Sequence, residues 1–330
     1  MEKGEGSSFI LSKLKLDDIE EVVWEPYHKD GPGRPPRSPV GIFKALFTKR
    51  LRQVPSDKEL YRRLWNDPAL REICDVEAEQ KPYHPSQLTR FRKRVGPERL
   101  EKIMNRIIDE LVEGGVIGGE TVVMDATFIK AYSKRDSHDN RRGSSDPDAR
   151  VGRDGKAYDL GYKAHISADS ESELPVAFIV APANENEKRH AYKLLDKALK
   201  ATGRRVKKVV ADSQYSSTRF RKKAADCKVD AVIPYPANQH PKEKGLLRVD
   251  KHFRTYGPAC ERRIYKRRAS IERTNSRLKD QLSLNNHKVR RLRNIVIHVL
   301  LCIITMLLVA VAALRLNKPE KARSIAQLGW

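Results

Sequence analysis

Residues 121–129, TVVMDATFI, form a short apolar run rich in β-branched residues and broken in its middle by one acid, Asp125. A run of this length and composition reads as a strand. Two more strands follow, DLGYKAHISAD (159–169) and ELPVAFIVAP (173–182), joined by the turn-like DSES. The pattern then alternates: a helical stretch at 185–201, a strand KKVVADS (207–213), a helix STRFRKKAAD (217–226) and a strand DAVIPYP (230–236). Two segments, 133–156 and 237–258, show no regular pattern; the second reads as an insertion before the next helix.

Three adjacent strands before the first helix, then alternation of helix and strand, predict an α/β domain. Its order β-β-β-α-β-α-β-α is that of an RNase H-like fold, a mixed five-stranded sheet flanked by helices. In that order the first and fourth strands lie side by side. Asp125, buried among apolar neighbours, and Asp212, at the end of VVAD, would then meet at the strand ends. An unpartnered carboxylate in an apolar strand is costly, and two like charges that close require a cation. Each aspartate alone also suits a capping or turn role.

Downstream, Tyr265, Arg268, Glu272 and Lys279 stand 3, 4 and 7 positions apart in IYKRRASIERTNSRLKDQL. At about 100° per residue a helix would carry all four within an arc of roughly 60°. One carboxylate among an aromatic hydroxyl, a guanidinium and an ammonium suits metal and phosphate; a solvated charged face has the same spacing. Three carboxylates, Asp125, Asp212 and Glu272, are hard oxygen ligands suited to a pair of Mg²⁺ ions, with Mn²⁺ as a substitute. No GxxxxGK[ST] stretch is present, so ATP hydrolysis is not indicated.

The chain of 330 residues carries 66 Lys and Arg against 43 Asp and Glu, a net charge of +23, which points to a polyanionic partner. The excess is uneven: between Lys251 and Arg293 there are 14 basic residues and three acids. Residues 1–39 read as an arm with a Pro-rich linker, in which Gly33-Arg34-Pro35 is similar to the core of a minor-groove AT-hook. Residues 40–118 read as a small all-α domain. Ser56 with Glu59 predicts a capping box, Asp67-Pro68 a helix start, and Leu100, Ile103, Ile107 and Leu111 a buried helical stripe. The basic helix 86–95 offers Arg90, Arg92, Lys93 and Arg94 either as a DNA recognition helix or as a solvated face.

Four cysteines far apart, Cys74, Cys227, Cys260 and Cys302, suggest neither a zinc site nor disulfides and fit a reducing cytoplasm. The N-terminus lacks the apolar core of a signal peptide. Residues 295–314 are apolar and long enough to span a bilayer, yet both flanks are basic and His298 interrupts them, so a helix buried in protein is the expectation.

These residues resemble the DDE transposases of prokaryotic insertion sequences, from about Val40 to Leu316. The acids of that family correspond to Asp125 in MDATFIKAYS, Asp212 in VVADSQYSS and Glu272, and Tyr265, Arg268, Glu272 and Lys279 match the Tyr-x2-Arg-x3-Glu-x6-Lys pattern of one large group. GYKAHI is similar to the second strand of those enzymes, and the apolar helix has a counterpart in them. One departure is Gln214, where the family often has glycine. The resemblance implies a catalytic domain over 119–316, a tail over 317–330, and an enzyme that binds double-stranded DNA at terminal inverted repeats. It implies Mg²⁺-dependent cleavage and strand transfer, a homodimer on transposon ends, a cytoplasmic, nucleoid-associated location and no membrane. In it Asp125, Asp212 and Glu272 hold metal, Tyr265 and Arg268 hold phosphates near the cleaved end, and Lys279 holds the neighbouring strand. A nuclease of the same fold without strand transfer, a DNA-binding protein without catalysis and a membrane-anchored protein are the competing readings.

Overall fold

The computed structural model describes residues 10, 16–27, 35–239, 245–252 and 254–325. Gly33 and Arg34 of the AT-hook-like motif lie outside the described residues. By internal contact the chain divides into two compact units, one of residues 1–116, 277–289 and 293–330, the other of 117–276 with 290–292. Residues 277–289 and 293–316 group by contact with the helical unit.

The helical unit contains α1 (Asp17–Trp24), α2 (Pro39–Leu51), α3 (Asp57–Asn66), α4 (Pro68–Ile73) and α5 (Pro85–Glu113). Ser38, Ser56 and Asp67 cap their helices by accepting from the backbone amides of Gly41, Glu59 and Leu70. The expected Ser56–Glu59 box is only half formed, because the Glu59 carboxylate turns to Arg62 and Arg63. A complete box instead opens α5, where His84 and Gln87 bond reciprocally. Within α5, Gly96 sits at φ 70° ahead of Pro97, so the helix kinks there. The proline removes a ladder donor, and the left-handed backbone demands glycine. Leu100, Ile103, Ile107 and Leu111 are all buried, as their spacing predicts.

The apolar helix α10 (Leu292–Arg315) groups largely with this unit. Its most apolar window is 94% buried, so it meets protein on every face. Two of its polar groups are answered locally: His298 shares a 3.1 Å hydrogen bond with the carbonyl of Leu284, and Arg315 pairs with Glu110. Burial of the guanidinium of Arg50 pushes its pKa down, against the pull of Cys302.

The second unit is built on a six-stranded sheet among the described residues: β1 (Thr121–Lys130), β2 (Arg150–Asp154), β3 (Ala157–Asp169), β4 (Pro175–Pro182), β5 (Lys208–Ala211) and β6 (Asp230–Val232). The order is β2-β3-β1-β5-β6, with β4 beside the far half of β3. β3 runs antiparallel to β1, β2 and β4, while β1, β5 and β6 are parallel. The path β4-β3-β1-β5-β6, with α6 (Lys188–Ala201) and α7 (Thr218–Asp226) in the parallel crossovers, is the RNase H-like arrangement. The sixth strand corrects the expected five: β2 lies inside 133–156, a segment without visible pattern. It forms because β3 is 13 residues long and its first five pair with β2. A two-stranded ladder, β7 (Arg248–Val249) with β8 (Thr255–Tyr256), likewise lies in the insertion.

The DSES turn is held by Asp169, whose carboxylate accepts from Gly119 and from the backbone and hydroxyl of Ser172. In the segment before β2, Asp146 and Asp148 accept from the backbone amides of Arg291 and Leu292 at the start of α10. They satisfy donors that a helix leaves open at that end.

Candidate active site

β1 and β5 pair in parallel up to Met124 with Ala211. Asp125 and Asp212 are the next residue of each strand, so the two carboxylates stand at neighbouring positions where β5 stops. This end of a sheet, past the carboxyl ends of parallel strands, is where such folds place ligands. Asp125 is still held on its other side, opposite Ile166 of β3. Asp212 also begins a tight 3₁₀ turn, Ser213–Tyr215, and accepts from the Gln214 amide at 3.0 Å. The capping role and the paired-acid role coincide in one residue.

The pair is electrostatically strained. Burial, then the charge of Asp212, pushes Asp125 up to about 6. Burial also raises Asp212, against the amide of Gln214 and the charge of Arg268. Beneath them Tyr215 is buried, and burial with both aspartates raises its hydroxyl well above the ordinary range. That hydroxyl lies 3.3 Å from Nδ1 of His165, which burial keeps neutral, with a pKa lowered to about 3.

The third acid arrives from a helical segment that is not one uniform helix. α8 (Ala259–Tyr265) passes through a 3₁₀ turn, Lys266–Arg268, into α9 (Ala269–Ser276), which ends in a π turn, Arg277–Gln281. The single arc expected at 100° per residue therefore does not hold throughout. Tyr265, Arg268 and Glu272 stay together: Arg268 forms a 2.5 Å ion pair with Glu272 and carries the influence of Tyr265, Asp125 and Asp212. Burial alone would lower the Arg268 pKa, yet those partners raise it. Tyr265 is raised chiefly by burial. Lys279 lies in the π turn and belongs to the other unit.

α9 is fastened over β1 and β3 by bonds to the β3–β4 turn. Thr274 donates to the carbonyl of Glu173, and Arg273 pairs with the Glu173 carboxylate. Asn275 donates to Asp125 at 3.2 Å. Sequence reading missed Asn275. Its signal was available: it stands three residues after Glu272, which returns it to the same side of a helix. Glu187, missed as well, bears on Asp212 from the start of α6.

Of the basic residues singled out on α5, Arg90 and Lys93 are exposed. Arg92 is committed to Asp57, a carboxylate it shares with Lys49.

Asp125 and Asp212 fit a hard divalent cation: both supply oxygen, both are half-buried, and each raises the need for a positive charge. Glu272 is exposed and engaged with Arg268. Among the described residues no three His, Cys, Asp or Glu side chains converge closely enough to hold an ion. The Arg268 guanidinium bears on both aspartates and lowers the cost of their charge.

The family model for the transposase DDE domain matches residues 117–308 and a second model, a transposase domain, matches residues 8–94. The chain belongs to the DDE transposase family. It is a DDE-type enzyme of transposition, and the family uses divalent metal. Among solved structures the chain is similar to a piggyBac transposase synaptic complex with hairpin DNA. The TM-score is 0.44 at 10% identity, over 96% of this chain and 77% of that one. A Mos1 transposase paired-end complex has a TM-score of 0.24 at 10% identity, over 78% and 82%. A pre-cleavage Mos1 transpososome has the same score and identity, over 88% and 99%. No curated protein matches the chain.

Proposed function

We propose that this DDE transposase binds the terminal inverted repeats of an insertion sequence and catalyses Mg²⁺-dependent cleavage and strand transfer, acting as a homodimer on paired ends in the nucleoid. The observation that carries the reading is the register of Asp125 and Asp212 at the end of β5, with Arg268 of the 3₁₀ turn and Glu272 of α9 brought beside them. Membership of the DDE transposase family and the charge of +23 support DNA as the partner.

Asp125, Asp212 and Glu272 would hold two Mg²⁺ ions, for which Mn²⁺ substitutes; when bound, such ions supply Lewis acidity at a phosphodiester. Glu272 would leave Arg268 to join the two aspartates. The Arg268 guanidinium, released from the carboxylate, would then hold phosphate oxygens in a bidentate fork. Tyr265 would bond a neighbouring phosphate, and Asn275 keeps the Asp125 carboxylate turned toward the site. Lys279, Arg90 and Lys93 would contact backbone phosphates.

The test uses Glu272→Gln. End binding should be retained while metal-dependent nicking of a duplex carrying the inverted repeat is lost; nicking at the parental rate would refute the assignment. Strand transfer from pre-cut ends separates a transposase from a nuclease of the same fold.

A further inference from the structure

Beside the acid pair lies a polar cleft of about 360 Å³. Its walls bring together Arg153 of β2, Lys188 at the start of α6, Gln214 of the turn after β5, and Asn238 and Gln239 after β6. Its link to the site is covalent and direct: Gln214 is two residues past Asp212, and its backbone amide donates to that carboxylate. At the edge of the cleft Lys163 and Glu187 form a half-buried 2.6 Å ion pair, so the one carboxylate lining it is neutralised.

The chemistry of this lining is specific. Four carboxamides, Asn186, Gln214, Asn238 and Gln239, each offering a donor and an acceptor, match the edge of a nucleobase, which alternates the same groups. Arg153 and Lys188 in the same lining suit a phosphate. The volume is at the lower end of small-ligand sites and excludes a duplex. A lone phosphate would leave the carboxamides unused.

From this geometry we infer that the cleft binds one unpaired deoxynucleotide of the strand beside the cleaved phosphate, its phosphate on Arg153 and Lys188 and its base edge on Gln214 and Asn238. The inference rests on the reading above for the polymer involved. It assigns Gln214 and Asn238 as specificity-determining residues for the flanking base. Their side chains are exposed, so truncating them leaves the core untouched, and the Gln214 backbone bond to Asp212 survives the change.

The experiment is a calorimetric or NMR titration of the full chain, without metal, with the four deoxynucleoside 5′-monophosphates, with deoxyribose 5-phosphate and with inorganic phosphate. At least one mononucleotide should bind about tenfold more tightly than deoxyribose 5-phosphate. Gln214→Ala and Asn238→Ala should each erase that preference while leaving the binding of deoxyribose 5-phosphate in place. Arg153→Ala should weaken every phosphate-bearing ligand. Equal binding of all six ligands, or a base preference that persists in the Gln214→Ala/Asn238→Ala double variant, would overturn the proposal. Loss of strand transfer does not enter this measurement, so failure of the transposase reading and failure of the nucleotide site are seen separately.

Discussion

Arg268 holds Glu272 in a 2.5 Å ion pair one helical turn away, and the same guanidinium faces Asp125 and Asp212. One cation thus serves three acids, two of which are pushed upward by burial. Arg268→Ala should lower metal-dependent cleavage by about 10²–10³-fold, the usual cost of removing one charged donor at a reacting centre. The same change should raise the pH at which Mg²⁺ begins to stabilise the protein. A thermal-shift series in Mg²⁺ from pH 5 to 8 reads the second effect, and an unmoved onset would count against the shared-cation arrangement.

Asp125 makes stability depend on pH in a defined direction. Its folded pKa, about 6, lies above the unfolded value of 3.8, so the folded chain binds more protons between those limits. Stability without metal should therefore fall as pH rises from about 4 to 6, by on the order of 2–3 kcal/mol, and stay reduced above. Asp125→Asn should flatten that part of the profile in urea titrations. At pH 7.5 saturating Mg²⁺ should stabilise the parent chain and not the variant; equal stabilisation of both would contradict Asp125 as a ligand.

Asn275 donates its amide to Asp125 and so favours the charged carboxylate. Asn275→Ala should raise the apparent pKa of metal-dependent cleavage by about half a unit to one unit, because a hydrogen bond to a charged group contributes about 1.5–3 kcal/mol when buried and less when wet. Asn275→Gln should restore part of it. A pH-rate profile identical to the parent's would remove Asn275 from the positioning of the site.

In the helical unit Asp57 binds Lys49 at 2.6 Å and also Arg92. Burial would raise its pKa, but the two cations outweigh burial and hold it at about 2. A depressed carboxylate contributes stability above its unfolded pKa that is lost as pH falls toward 2. Asp57→Ala should cost roughly 2–4 kcal/mol at pH 7, since it leaves two partly buried cations unpaired. Arg92→Ala should act mainly on stability, whereas Arg90→Ala and Lys93→Ala should act on the affinity for DNA and its salt dependence. Measured salt slopes in which Arg92→Ala loses the most would reverse this division.

The apolar runs of β1, β3, β4, β5 and β6, the capping residues Ser56 and Asp67, and the buried stripe of α5 were legible because each depends on neighbours in the chain. The strand β2 was not: Arg150–Asp154 is polar, and it becomes a strand only because the first residues of β3, ahead of its pairing with β4, offer a free edge. Uniform helical spacing also failed at Lys279, where a π turn and a change of unit intervene.

What the sequence by itself determined is which residues could do chemistry: Asp125 and Asp212 after valine runs, Glu272 among cations at helical spacing, and +23 charges to attract a polyanion. Only the tertiary structure decided how they are used. Strand pairing over 80 residues apart sets the two aspartates side by side, and Asn275 reaches Asp125 from 150 residues away. Arg268 claims Glu272, and β2 closes a cleft beside Asp212. Local propensity acts over a few residues, whereas these relations depend on sheet register and on charge in a dry environment, which exist only once the chain has folded.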